Sequence, residues 1–328
     1  MLFDIYRFHA FLSPTDPIRR ASYSITSATS RLTQQLRFMS GTNTLHYAVY
    51  TAPPEPIAPG GPPGFTVPEG AHWSPTTVTL LYGAKEAILI DALTLVSQAE
   101  LLADWIEATA PGRRLTTIYA THGHADHWFG AAPLLKRFPG ASFVATPGTV
   151  EVMKRNVEQI PLSWGHWFPG GKIQHGDIIA ESLGEKRHLE IEGHDVEIFD
   201  AGFTDTDETT YVWVPSIRLV VVGDIVYNGV HQHLSEGFRA SQLETWKAAL
   251  KAIESLEPVA VVAGHKKPGN DDRPENIQTS IDYIETFETL AGRAQSSKEL
   301  LALMQEKFGD RLNPMMLDFA CDAVFHGR

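Results

Sequence analysis

Cysteine is almost missing from this chain. Cys321 stands alone, which excludes an intramolecular disulfide and any cysteine-rich zinc site. Long apolar runs are missing as well: none approaches the roughly 20 residues a membrane helix requires, so no membrane partner is expected. Positive charge is scarce. The formal net charge of -12 and the lack of basic clusters argue against a nucleic-acid partner. Neither a Gly-x-Ser-x-Gly elbow nor a Gly-x-Gly-x-x-Gly phosphate loop occurs, so a serine-elbow hydrolase and a dinucleotide binder find no support. What remains is 328 residues of ordinary globular material, 43% hydrophobic and 20% charged, enough for one elaborated α/β domain or two modules.

Residues 1–40 differ from the rest. They hold Arg7, Arg19, Arg20, Arg31 and Arg37 but neither Glu nor Lys, and are rich in Ser and Thr between residues 21 and 33. The segment reads as an N-terminal extension, a surface arm or a targeting peptide. The cytoplasm is the expected compartment, with mitochondrial targeting as the alternative. Residues 51–70 carry seven prolines and four glycines and predict a strap without helix or central strand. "TVTLLYG" and "EAILIDA" then read as strands around a turn. Ser97 with Glu100 predicts a capping box opening a helix through Leu101, Leu102, Trp105 and Ile106. "LTTIYA", "HDVEIFDA", "TTYVWVP", "IRLVVVGDIVY" and "PVAVVAGH" predict further strands, with a helix over "SQLETWKAALKAIESL". Two strand sets, each followed by helices, predict two sheets face to face with helices outside. The domain is expected to span 41–270, with 271–328 a helical elaboration packed on it.

"IYATHGHADHWFG", residues 118–130, runs from a strand into His122, His124, Asp126 and His127. Residues two apart in extended chain share a side, so His122 and His124 point together. Asp126 and His127 fall at the following turn. Imidazole suits zinc, and a carboxylate completes a mixed nitrogen–oxygen set for a hydrolytic metal.

With that motif the chain resembles the metallo-β-lactamase fold superfamily of hydrolases, whose His-x-His-x-Asp-His signature is matched in full. Over residues 76 to about 270 other elements follow in order: Asp91 in "AILIDA", Asp224 in "VVVGDIVYNG" and His265 in "VVAGHK". The resemblance implies a four-layer αββα sandwich with the ligands on loops at one edge. It places His122 and His124 at one metal position, Asp126, His127 and His265 at a second, and Asp224 between them. Asp91 is implied to orient the His-rich loop.

One position departs. Where the family has a further histidine, "DAGFTDTDETTYVWVP" presents Phe203, and no histidine lies between His194 and His231. With only His122 and His124, the first position is expected to hold metal weakly or not at all, leaving one tightly bound zinc on Asp126, His127, Asp224 and His265. His122 or His124 would then be free as general acid or base, and Asp126 and His124 are the expected catalytic groups. Asp205 or Asp207 as a replacement ligand is one reading of the loop. The expected role of both, with Thr204 and Thr206, is to fix the turn before "TTYVWV".

Phe203, Tyr227, Asn228, His231, Trp164 and Trp167 are candidate substrate contacts, and His233 follows on the same loop as His231. Trp128 and Phe129 read as core. The sequence thus predicts a zinc hydrolase in which a metal-bound hydroxide attacks a small ester, lactone, lactam or thioester, in secondary metabolism or detoxification. Alternatives are hydrolytic dehalogenation of an activated aromatic and a non-catalytic binder on a degenerate fold. The partner is a small molecule, and a homodimer is the default assembly.

Overall fold

The computed structural model describes residues 44–60, 67–159, 163–173 and 178–327. The expectations for residues 1–40, and part of the strap, lie outside the described residues.

In chain order the strands are β1 (His46–Thr51), β2 (Glu55–Pro56), β3 (His72–Trp73), β4 (Thr77–Tyr82), β5 (Glu86–Ile90), β6 (Arg114–Tyr119), β7 (Ser142–Ala145), β8 (Glu181–Ser182), β9 (His188–Ile191), β10 (His194–Gly202), β11 (Thr209–Val214), β12 (Leu219–Val221), β13 (Tyr227–Asn228), β14 (Ala260–Val262) and β15 (His265–Lys266). The helices are α1 (Val96–Thr109), α2 (Ala131–Arg137), α3 (Pro147–Gln159), α4 (Trp164–Trp167), α5 (Ala240–Ser255), α6 (Glu275–Ala291), α7 (Ser297–Phe308) and α8 (Pro314–His326). One sheet has the order β1-β4-β5-β6-β7-β8 and the other β14-β12-β11-β10-β9.

The central strands are apolar on both faces because both faces are covered. In β5, Ile88 and Ile90 pack between the sheets, whereas Ala87 and Leu89 face helices. In β11, Val212 and Val214 point inward and Tyr211 and Trp213 outward. This period of two divides the core into three layers. Val196, Ile198, Leu219, Val221 and Val262 complete the inter-sheet layer. Leu102, Ile106, Leu134 and Met153 cover the first sheet, and Leu243, Trp246, Ile281, Ile284 and Phe287 cover the second.

α8 belongs to both outer layers. Met315, Met316 and Phe319 pack with the first, Leu317, Ala320 and Cys321 with the second. Two local expectations need correction. α1 begins one residue before Ser97, and its cap is the Gln98 side chain accepting the Leu95 N–H at 3.3 Å. Leu101 lies on the outer face of that helix, 59% exposed. The predicted strand through "GDIVY" also stops early: β12 ends at Val221, and a single 3-10 turn spans Gly223–Ile225. That exit turns Asp224 out of the sheet.

Candidate metal centre

Every candidate ligand sits where a strand ends. Asp91 follows β5, the His-rich loop follows β6, Asp205 follows β10, Asp224 follows β12 and His265 follows β14. Backbone hydrogen bonds lash these ends together: Thr77 N–H to Gly264 C=O at 2.7 Å, Gly264 N–H to Gly223 C=O at 2.7 Å, and Ala92 N–H to His127 C=O at 2.7 Å. Gly264 allows a close approach, since a Cβ there would lie 2.2 Å from Asp224 Oδ1 and 2.6 Å from the Gly223 carbonyl carbon.

Three donor groups result. His124, His233 and Glu236 form one. Donor atoms of His122, His124, Asp205 and Asp224 lie within 4.8 Å of one another, as do those of Asp126, His127 and His265. Asp224 joins the last two: its Oδ1 is 3.1 Å from His127 Nε2 and its Oδ2 is 3.2 Å from His265 Nε2. Asp126 Oδ2 is also 3.2 Å from His265 Nε2. Behind the group with His127, Asp91 accepts from Thr121 N–H at 2.9 Å and lies 2.9 Å from His127 Nδ1. That contact leaves His127 Nε2 facing the cluster.

Asp205 corrects the expectation that it serves the turn. Its side chain is fully buried, with Oδ2 2.9 Å from His124 Nδ1 and 3.6 Å from His122 Nε2. Oδ1 accepts the Thr204 hydroxyl at 2.9 Å, which aims the carboxylate. The turn is held instead by Asp207, accepting Glu208 N–H at 3.0 Å, and by Thr209, donating to Thr206 C=O at 3.2 Å. Phe203 is half-buried, packs against Gly237 and is not among the residues lining the central cavity. Where the sequence left the first position to His122 and His124, a carboxylate two residues downstream of Phe203 lies within 4.8 Å of both.

These residues fit a divalent cation. His122 Nε2, His127 Nε2, Asp205 Oδ2 and Asp224 Oδ1 are buried with no well-aligned hydrogen bond: the two carboxylate oxygens meet only imidazole nitrogens, of His124 and His127. Such atoms are costly to bury unless a charge of opposite sign joins them. The proton equilibria of the bare cluster say the same. Burial opposes charge on His265, but Asp224 and Asp126 raise it to about 9. Burial likewise opposes charge on His124 and His127, yet their carboxylate neighbours hold both well above the ordinary imidazole range. His122, deeply buried and beside His127, falls to about 4.

A cavity of about 240 Å³ opens onto the cluster, lined by His124, Asp126, Asp224 and His265. Trp73, Trp164, Trp167, Met316 and Phe319 also line it. Trp73 donates its indole N–H to Asp126 Oδ2 at 2.9 Å, and its ring centre is 4.7 Å from that of Trp164 and 5.3 Å from that of Trp167. Tyr227 also lines the cavity, its hydroxyl donating to Asp224 Oδ2 at 2.5 Å. Asn228 and His231 do not line it. Asn228 is tied to Asp271 C=O and Asn270, and His231 Nδ1 lies 2.9 Å from the Tyr283 hydroxyl under α6. Trp128 and Phe129 are core.

Residues 72–265 match the family described as the metallo-beta-lactamase superfamily. The chain belongs to the metallo-beta-lactamase superfamily. A metallo-beta-lactamase from Pontibacter korlensis superposes with a TM-score of 0.51 at 16% identity, covering 74% of this chain and 99% of that one. The DIM-1 metallo-beta-lactamase, in a crystal exposed to ceftazidime, gives 0.53 at 18%, covering 75% and 94%. TMB-1 gives 0.51 at 19%, covering 73% and 93%. At such identities the likeness concerns the fold. No curated protein matches the chain.

Within this superfamily chain, sequence reasoning overlooked Glu236, Trp73, Asn156, Met316 and Phe319 as cavity residues. Glu236 lies 3.1 Å from His124 Nε2 and accepts the Thr206 hydroxyl at 2.8 Å. The acidic residue three after His233 was the available signal. Nothing in the spacing of α8 marks Met316 and Phe319 as facing a cavity rather than core.

Proposed function

We propose that this chain is a metal-dependent hydrolase of a small organic ester, lactone, lactam or thioester, built around two cation positions. His122, His124 and Asp205 would hold one ion, Asp126, His127 and His265 the other, and Asp224 would serve both. The carrying observation is the set of four buried donor atoms without a well-aligned hydrogen bond, two imidazole nitrogens and two carboxylate oxygens, which belong to the two donor groups that Asp224 joins. Zinc is the ion favoured for such a nitrogen–oxygen set, with four protein ligands within reach of each position. The sequence alone favoured one tight ion; the inward Asp205 supports two.

When bound, the metal supplies Lewis acidity and an acidified water at neutral pH. The chain's residues do the rest. Asp126 borders the cavity, is oriented by the Trp73 indole and is the group placed to hold a proton as the leaving group departs. His124 turns Nε2 to Glu236 and Nδ1 towards Asp205 and the first position, and this favours a holding role over the general-base role expected for it. The tryptophan wall excludes water from the substrate's apolar part. With the ligand set complete, the degenerate-site reading loses the observation that motivated it.

The test is a panel of chromogenic esters, thioesters, lactones and lactams offered to zinc-loaded protein, with and without chelator. Chelator-sensitive turnover of at least one class, abolished in His127→Ala together with metal binding, is the expected result. A fully loaded protein inert towards the whole panel contradicts the proposal.

A further inference from the structure

We infer that the cavity admits an uncharged substrate and discriminates against anionic ones, and that Glu236 sets this preference. The inference deepens the hydrolase reading and rests on it for the identity of the cavity. Three observations carry it. Among the described residues lining the cavity there is neither lysine nor arginine. Two flanking cations on α3 are committed to exposed carboxylates: Lys154 Nζ lies 2.7 Å from Glu151, and Arg155 3.5 Å from Asp207. An anionic substrate therefore finds no lysine or arginine on the cavity lining.

The second observation concerns the ligand set itself. Asp205 stands in for a neutral imidazole, so Asp126, Asp205 and Asp224 place three carboxylates around the two positions. Two divalent ions would be left with a single net positive charge, one fewer than a neutral residue at 205 allows. The third is Glu236. Its side chain is 49% exposed at the cavity wall, while one oxygen is fixed by Thr206 and the other faces His124. A carboxylate thus stands on the cavity lining, held in place at both oxygens, where an anionic group would meet it.

The apolar part of the lining is formed by Trp73, Trp164, Trp167, Met316 and Phe319. The substrate class is a neutral acyl compound with an aromatic or aliphatic arm against that part. Water adds across its acyl–oxygen bond: the carbonyl carbon gains OH, the alkoxy oxygen gains H, and a carboxylic acid and an alcohol leave. The acid ionises at neutral pH, so the same field that admits the ester expels the product.

The experiment is calorimetric titration of zinc-loaded protein with a non-hydrolysable matched set: a neutral N-alkyl arylacetamide, its para-sulfonate and its para-trimethylammonium counterpart. Sulfonate is chosen as a poor metal ligand. The neutral member should bind at least about tenfold tighter than the sulfonate, the cation at least as well as the neutral one, with the gap shrinking at high salt. Glu236→Gln, which retains a hydrogen-bonding oxygen, should narrow the gap about threefold or more. Asn156→Lys, a change on the cavity wall outside the ligand set, should narrow or invert it. Equal or tighter sulfonate binding overturns the inference, as does absence of binding by all three. A gap unchanged in Glu236→Gln removes Glu236 as its source. The corresponding esters form a separate arm: if none is hydrolysed while the preference holds, the hydrolase reading fails and the charge selection stands.

Discussion

At the scale of single residues, the centre is a lesson in what a side chain must be aimed at. Asp91 touches no cation position, yet it holds His127 by Nδ1 and the His-rich loop by the Thr121 N–H. Outer partners of this kind are worth about 10–100-fold in metal affinity. Asp91→Asn should therefore weaken zinc at the second position by that factor, read by competition with a chromogenic chelator, while far-ultraviolet circular dichroism stays unchanged. Unaltered affinity would show that His127 is oriented by its backbone alone. The His-x-His-x-Asp-His run could be read because its spacing fixes its own geometry. Asp205 could not, because "TDTD" offers two aspartates that satisfy a turn equally well on paper. Only the Thr204 hydroxyl, which holds Asp205 Oδ1, separates the inward carboxylate from the outward one. Phe203 drew attention to the right loop for the wrong reason.

Elements bring these residues together by their ends. The strands were legible because alternation within an all-apolar run leaves little choice of face, and β4, β5, β6, β10 and β11 lie where the patterning put them. The short exit from β12 was not, since Val226 and Tyr227 continue the β-like composition past Gly223. The glycines after β12 and β14 are where backbone meets backbone. Gly264→Ala would force a methyl group to 2.2 Å from Asp224 Oδ1 and 2.6 Å from the Gly223 carbonyl carbon. We expect a loss of about 1–3 kcal/mol in denaturant unfolding, as for overpacked cores, together with impaired metal loading. A variant as stable and as well loaded as the parent would mean that the two loops slide freely.

The segment between β13 and α5 carries a second device. His231, only 1% exposed, lies against Tyr283, and burial with nearby Arg311 brings it down to about 4. A histidine depressed in the folded state binds its proton first in the unfolded chain. Its neutrality therefore costs nothing above about pH 6.5, and stability is lost as pH falls from there towards 4. His231→Phe should flatten the stability–pH profile across that window, measured by urea unfolding at a series of pH values. A profile parallel to the parent's would place the acid sensitivity elsewhere.

On the scale of the whole molecule, the αββα arrangement was legible because it follows from two strand sets and their helices, and the family comparison agrees with it. The role of α8 was not. Its sequence reads as one amphipathic helix at the end of the chain, yet in space it joins both outer layers and lends Met316 and Phe319 to the cavity. Long-range placement of that kind has no signature in local spacing.

The central claim is that Asp205 completes a second cation position beside the one held by His127 and His265. Zinc stoichiometry tests it most directly, by elemental analysis of the parent, Asp205→Ala and Phe203→His after equilibration with a buffered zinc concentration. The parent should hold two ions per chain, Asp205→Ala one, and Phe203→His two, since residue 203 packs away from the cluster. A parent with a single ion that Asp205→Ala retains and Phe203→His doubles would contradict the account.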